Sequence, residues 1–422
     1  MGMEINTEEK KIEKAVLVGL SCHSFGPDED SDERTMAELA ALLETAGGEC
    51  VGMTLQNRPA PDARTFIGEG KAEEVKMLAE MNDADLIVFD NELSPSQMSN
   101  LEELTGKTIL DRSALILDIF AQRARTGEGK LQVELAQYQY ILPRLAGLGK
   151  SMSRLGGGIG TRGPGETRLE VDRRHIRRRI DELSRQLADL SRQREMRRAR
   201  RGKMDQTTVA LVGYTNAGKS TLLNALSGAE VLVEDKLFAT LDPVVRQVSL
   251  PENRSCLMVD TVGFIRKLPH TLVEAFKSTL EEAVYADLLV IVSDLSSPFY
   301  RQQREVVYEV LRQLGADGKP VVEALNKADK AEIGGMIEPA GAILISAASG
   351  MGLDHLKAEI SRRIASLRTR VTLSVPYAKG AVLNLLHDQG QVETEEYTET
   401  GTNVTCLLDA TLYARVKKML ES

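Results

Sequence analysis

The chain has 422 residues, 42% of them hydrophobic and 27% charged, enough apolar material for roughly two to four domains with sizeable cores. Its net charge of −9 by itself argues against a nucleic-acid partner, because phosphate binding depends on positive charge. Four cysteines, Cys22, Cys50, Cys256 and Cys406, stand apart without C-x-x-C pairs or a neighbouring His cluster, which leaves no support for a zinc site or a disulfide framework.

The start, MGMEINTEEKKIEK, is charged and has no apolar h-region, and no apolar run approaches the roughly 20 residues that span a bilayer. A cytoplasmic protein without membrane insertion is expected. Short apolar runs then alternate with amphipathic ones: AVLVGL, ERTMAELAALLETAGG, CVGMTLQ, GKAEEVKMLAEM and DLIVFDN. Buried strands alternating with helices predict a parallel α/β sheet. A helix near Pro95–Thr105 and the strand KTILDR complete a first domain, residues 1–112. FIGEGK, at Phe66–Lys71, has glycines beside a lysine but falls short of P-loop spacing and reads as a loop-to-helix turn. No motif decides whether this domain binds a second nucleotide or docks against RNA.

Between 113 and 203 the strand signal gives way to helical periodicity, with Leu131, Leu135, Tyr138 and Leu142 in one stripe and Ile176, Ile180, Leu183, Leu187 and Leu190 in another. Two stripes separated by a long loop predict a helical hairpin arm. The loop, SRLGGGIGTRGPGETRLE, cannot form a core. From Arg173 to Lys203 thirteen Lys and Arg face four Asp and Glu, a local net of +9 in an acidic chain. A solvated basic coiled coil and an RNA probe armed with Arg154, Arg162 and Arg168 both fit that pattern.

Residues 204–368 predict a doubly wound sheet, with strands at TVALVG, SCLMVD, DLLVIVSD, PVVEALN and AILISA. Residues 369–422 predict a small α+β domain: TLSVPY, a helix around Lys379–Gln389, two strands and a final helix. Within the third segment, Gly213-Tyr214-Thr215-Asn216-Ala217-Gly218-Lys219-Ser220-Thr221 fits G-x-x-x-x-G-K-[ST] after a strand and before a helix. Such a loop cradles phosphates with backbone N–H groups and the helix dipole. Lys219 is the candidate to neutralise the β- and γ-phosphates, and the Ser220 hydroxyl a candidate Mg²⁺ ligand.

Asn326-Lys327-Ala328-Asp329 follows an apolar strand and ends in a carboxylate that accepts both guanine N–H donors, whereas adenine would leave it unpaired. Ser346-Ala347, after AILI, is placed to offer a backbone N–H to the guanine carbonyl. Asp260-Thr-Val-Gly263 supplies a carboxylate for the Mg²⁺ shell and the Gly263 N–H for the γ-phosphate. Thr240, in FATLDP, is either a second Mg²⁺ hydroxyl or a loop threonine bonded to its own backbone. Lys219, Thr240 and Gly263 are the residues expected to act in hydrolysis.

The GYTNAGKSTL, DTVGF and NKAD motifs, together with GGGIGTRGPGETRLE, resemble those of the HflX-type ribosome-associated GTPases over nearly the whole chain. The glycine-rich loop is the diagnostic part, since translation GTPases share the rest. The resemblance implies a GTP phosphohydrolase that binds the large ribosomal subunit and its rRNA and splits or recycles stalled ribosomes under stress, as a monomer off the ribosome. A GTPase of ribosome assembly or RNA modification, and a nucleotide-gated RNA-binding adaptor, are the alternatives. Phe264 stands where small signalling GTPases carry a water-orienting glutamine, which predicts slow intrinsic hydrolysis accelerated by a partner. Asn216 resembles the asparagine of potassium-stimulated GTPases, making K⁺ a candidate second cation; a loop-stabilising amide is the other reading.

Overall fold

Strands β1 (Lys14–Cys22), β2 (Glu49–Arg58), β3 (Leu86–Phe89) and β4 (Thr108–Asp111) form a parallel sheet in the order β2-β1-β3-β4. The first run is apolar on both faces because both faces are covered: Ala15, Val16, Leu17 and Val18 are fully buried. The computed structural model describes all residues except 1–11, 23–24, 26–29, 153–167, 202–206, 230–235, 268–271, 273–276, 332–340, 367–368, 409 and 422.

Helices α1 (Glu33–Ala46) and α4 (Arg112–Arg123) pack together, as do α2 (Glu69–Met81) and α3 (Pro95–Thr105). Local chemistry sets their ends. Asp32 and Thr35 form a capping box at α1, Ser94 and Gln97 another at α3, and Asp111 caps α4. Val16, Val18, Leu20, Val75, Ile87, Phe89 and Leu101 make one continuous core.

The two long helices expected beyond residue 113 are α5 (Gly127–Met152) and α6 (Arg168–Arg201). They meet where Arg179 pairs with Glu134 at 2.8 Å. Helix α5 is fastened to the sheet through Tyr140, whose hydroxyl donates to Asp111 at 2.9 Å, and Arg144, which stacks 3.7 Å from the Tyr140 ring centre and reaches Asp111 at 3.1 Å. The glycine-rich connection, with Arg154 and Arg162, lies outside the described residues, and Arg168 is described only as the first residue of α6.

The second sheet contains β5 (Thr208–Gly213), β6 (Val244–Leu250), β7 (Arg254–Asp260), β8 (Leu288–Asp294), β9 (Val321–Asn326) and β10 (Ile343–Leu344) in the order β10-β9-β8-β5-β7-β6. All neighbours are parallel except β6 and β7. Strand β6 was not among the strands expected from the sequence. It forms a hairpin with β7 across a turn in which Glu252 and Asn253 take φ of 62° and 54°. Helices α7 (Lys219–Ser227), α8 (Lys277–Tyr285), α9 (Tyr300–Gln313) and α10 (Leu353–Ser366) complete this doubly wound layer.

The tail is the α+β domain expected: an antiparallel sheet in the order β11-β13-β12, from β11 (Thr369–Pro376), β12 (Gln391–Tyr397) and β13 (Gly401–Leu408). Helices α11 (Gly380–Gln389) and α12 (Ala410–Glu421) accompany it, and Val382, Leu386, Val404, Cys406 and Val416 form its core. The chain divides into two compact units, Met1–Ala188 with Glu234–Asp242 and Ile265–Ser278, and Asp189–Val233 with Pro243–Phe264 and Thr279–Ser422. Among the described residues no helix is long and apolar enough to cross a membrane.

Candidate nucleotide site

Strand β5 is buried from Val209 to Val212 and delivers Gly213 to a position where only glycine fits, since a Cβ there would meet the Val292 carbonyl oxygen at 2.2 Å. The chain then turns through Asn216 at φ 59° and Gly218 at φ 88°, left-handed conformations that glycine and asparagine tolerate best. Helix α7 begins at once, and no side chain caps its first turn. Its N-terminal amides and dipole therefore point at the loop, as anion binding requires.

Lys219 folds over this turn. Its Nζ donates to the carbonyls of Gly213 and Tyr214 at 3.1 and 2.9 Å, and burial pushes its pKa down to about 8 against the pull of Asp260. The Thr215 hydroxyl is buried without a hydrogen-bond partner among the described residues. Ser220 Oγ donates to Asp260 Oδ2 at 2.6 Å. A hydroxyl and a carboxylate in contact are a hard oxygen donor set, and their chemistry fits Mg²⁺. Thr221 follows, half-buried, on α7.

Asp260 ends β7, and Thr261 ties the next residue down through a 2.7 Å bond from its hydroxyl to the Leu211 carbonyl. A Cβ on Gly263 would stand 2.8 Å from Thr215 Cα and 3.0 Å from Lys219 Nζ, so the Gly263 backbone lies directly against the phosphate turn. Phe264 is clamped there by backbone: its N–H donates to Gly213 O at 3.1 Å and its carbonyl accepts from Thr215 N–H at 2.7 Å. Its side chain is buried.

Asn326, at the end of β9, joins two turns. Its Nδ2 donates to Ala217 O at 2.9 Å and its Oδ1 accepts from Ala347 N–H at 2.9 Å. Gly218 is again obligatory, because a Cβ would meet Asn326 Nδ2 at 2.3 Å. Lys327, at φ 62°, pairs with Asp294 at 2.8 Å. Asp329 is exposed, and a hydrogen bond from the buried Ser346 hydroxyl holds its carboxyl below the usual carboxylate range. The Ser346 and Ala347 amides are engaged, with Met351 O at 3.0 Å and with Asn326.

The fold thus brings the Gly213–Thr221 segment, Asp260, Gly263, Asn326, Lys327, Asp329, Ser346 and Ala347 into one unit. Thr240 falls in the other, half-buried on a loop. Its neighbours hold that loop: Phe238 packs edge-on to Phe120 at 4.8 Å, and Asp242 accepts from the Arg125 and Thr126 amides, each at 2.9 Å. Among the described residues no cluster of three His, Cys, Asp or Glu could hold a metal. The hydrogen-bonding role of Asn326 was not expected from the sequence, although its place at the end of an apolar strand was the available signal.

Residues 33–121 match the GTP-binding GTPase N-terminal family, 123–201 the GTP-binding GTPase Middle Region, and 208–327 the 50S ribosome-binding GTPase family. The GTPase HflX of Caldanaerobacter subterraneus subsp. tengcongensis is 49% identical over 413 residues, covering 97% of this chain and 94% of that protein. The chain belongs to the HflX family of GTPases. The Escherichia coli K12 GTPase HflX is 41% identical over 399 residues, 92% of each chain. A solved GTP-binding protein from Sulfolobus solfataricus in complex with GDP aligns at 26% identity and a TM-score of 0.44, over 84% of this chain and 100% of that one. As an HflX-family member the chain is a GTP hydrolase, and guanine nucleotides are its ligands.

Proposed function

We propose that the chain binds the large ribosomal subunit and uses the GTP cycle to engage and leave it, splitting or recycling stalled ribosomes. Supporting this reading is the match of residues 208–327 to the 50S ribosome-binding GTPase family. The local +9 charge between Arg173 and Lys203 suits an rRNA partner. The reading assigns the division 1–112, 113–203, 204–368 and 369–422 to a sheet domain, an RNA-facing arm, the GTPase domain and a small tail domain. It places the protein in the cytoplasm, monomeric off the ribosome.

The contact between Lys219, Ser220, Asp260 and Gly263 carries the catalytic assignment. The Gly213–Thr221 amides and the Thr215 hydroxyl bind phosphate, and Lys219 exchanges its two carbonyl partners for β- and γ-phosphate oxygens. Ser220 and Asp260 would hold Mg²⁺, which would supply charge neutralisation at the transferred phosphoryl group. The Gly263 amide reads the γ-phosphate. Asp329 accepts the guanine N–H donors, Lys327 flanks the base, and the Ser346-Ala347 turn, whose amides are held by Met351 and Asn326, is assigned beside the base as the backing of Asp329. Asn216, exposed at the turn, is assigned to K⁺.

Co-sedimentation tests the partner. With a non-hydrolysable GTP analogue the protein is expected to travel with the large subunit, and with GDP to remain in the supernatant. Equal, nucleotide-independent partition would contradict the cycle. Faster turnover in potassium than in sodium chloride is the matching test for Asn216.

A further inference from the structure

Strand β8 ends at Asp294, level with Asn326 at the end of the neighbouring β9. The Leu295 N–H donates to the Asn326 carbonyl at 2.9 Å, so the chain beyond Asp294 is tied by backbone to the residue that precedes Lys327. The Asp294 carboxylate is gripped at both oxygens. Oδ1 accepts from the Ser296 N–H at 3.0 Å and from the Ser296 hydroxyl at 2.5 Å, an Asx turn that closes further where the Ser297 N–H meets the Asp294 carbonyl at 3.2 Å. Oδ2 lies 2.8 Å from Lys327 Nζ.

Lys327 is held as firmly along its backbone. It takes φ 62°, a left-handed conformation that a lysine keeps only where its surroundings impose it. Its carbonyl accepts from the Lys330 N–H at 2.9 Å, and the next N–H, that of Ala328, donates to the Ile345 carbonyl at 3.1 Å. What is left to turn is the flexible stem of the side chain, and Asp294 holds its far end. The two side chains are 22% and 18% exposed. One ion pair at the surface adds little stability, so the geometry it imposes is the better account of it. A loose lysine would lose its rotamer freedom when a base binds beside it, whereas a tethered one has lost it already.

We propose that Asp294 is a positioning residue for guanine-nucleotide binding: by holding the Lys327 ammonium it pre-organises the stem that flanks the base. This rests on the assignment of Lys327 beside the base. Asp294, Ser296, Asn326, Lys327 and Asp329 all belong to one compact unit. Within it the labour is divided, since the tethered stem meets the ring and supplies affinity, while Asp329 meets the N–H donors and supplies selectivity.

The test measures GDP and IDP affinity by calorimetry, and GTP turnover, in the full chain carrying Asp294→Asn, Lys327→Met or both. Asparagine keeps an acceptor for Ser296 but offers Lys327 no carboxylate. In Asp294→Asn the GDP dissociation constant should rise by about two- to tenfold, the scale of one side chain's freedom. KM for GTP should rise by the same factor with kcat retained, the pattern of an interaction made equally in ground and transition states. IDP, which lacks the exocyclic amine, should lose as much as GDP. In the Lys327→Met background Asp294→Asn should add no further loss, since residues acting as a unit do not add. Parent affinity in Asp294→Asn overturns the proposal. So does an equal further loss in the Lys327→Met background, which would make Asp294 a turn former alone, and so does a greater loss for GDP than for IDP, which would route the effect through Asp329.

Should Asp294→Asn fail to fold, Asp294→Ser takes its place under the same outcomes, because its hydroxyl accepts from the Ser296 N–H but is too short to reach Lys327. Lys327→Ala separates the two readings. If it weakens GDP binding while the Asp294 variants do not, only the positioning role falls; if it binds GDP as tightly as the parent, Lys327 does not flank the base and both fall.

Discussion

Asn326 links the phosphate turn to the base-binding turn through one amide, donating to Ala217 and accepting from Ala347. Asn326→Ala leaves a buried carbonyl and a buried N–H unpaired, at about 1–3 kcal/mol each. The expected result by calorimetry is GDP affinity reduced by about tenfold or more, since each 1.4 kcal/mol is a factor of ten. Asp329→Asn should act differently, removing an acceptor for the guanine N–H groups and so eroding the preference for GTP over ATP; undiminished selectivity would move base recognition elsewhere. Lys219→Ala removes the charge that faces the phosphates and should abolish nucleotide binding. Gly263→Ala should disturb the turn sterically, because the added methyl would sit 2.8 Å from Thr215 Cα.

At the scale of elements, the buried Asp90, just after β3, pairs with Arg112 of α4 at 2.8 Å and with Lys267, and Arg112 also pairs with Glu38 of α1, so this cluster ties β3 to α1 and α4 and sets a pH dependence. Burial opposes its charge, but Arg112 and Lys267 outweigh burial and hold the carboxyl below its ordinary value of 3.8. Glu38 faces the same Arg112, and Arg266 lies near Asp32. A carboxyl with a depressed folded-state pKa contributes stability that is present above the unfolded value and lost as pH falls through the folded one. Asp90→Asn should therefore cost about 3 kcal/mol at neutral pH. Its denaturation midpoint should converge with the parent's only below pH 3.8. A gap that persists unchanged into strong acid would show that the carboxylate charge is not what holds these elements.

How much of this was legible follows from distance along the chain. The phosphate turn and the Asn326–Asp329 motif are each contiguous, and Asn216 and Gly218 answer to local left-handed backbone angles, so spacing alone reveals them. Strand β6 escaped because it is an edge strand with Val244 and Val245 at 38% and 45% exposure, giving no continuous apolar run; the Pro251-Glu-Asn turn was the only signal. The Asp90 cluster was invisible for a different reason. Its partners lie 22 and 177 residues away, and no local pattern marks a buried charge that is paired only after folding.

For the whole molecule, an acidic chain concentrates positive charge between Arg173 and Lys203, and on the proposed reading that segment is where it meets polyanion. Replacing Arg154, Arg162 and Arg168 together should leave basal hydrolysis unchanged, weaken binding to the large subunit and flatten its salt dependence, because fewer counterions are released. Unchanged affinity would reduce the arm to a solvated helix pair. The measurement that tests the whole account most directly is steady-state hydrolysis by the purified protein with and without purified large ribosomal subunits, with ATP as the parallel substrate. The account predicts slow basal turnover of GTP, strong stimulation by the large subunit, and no such response with ATP. GTP turnover indifferent to the large subunit would contradict the ribosome cycle while leaving the GTPase itself in place.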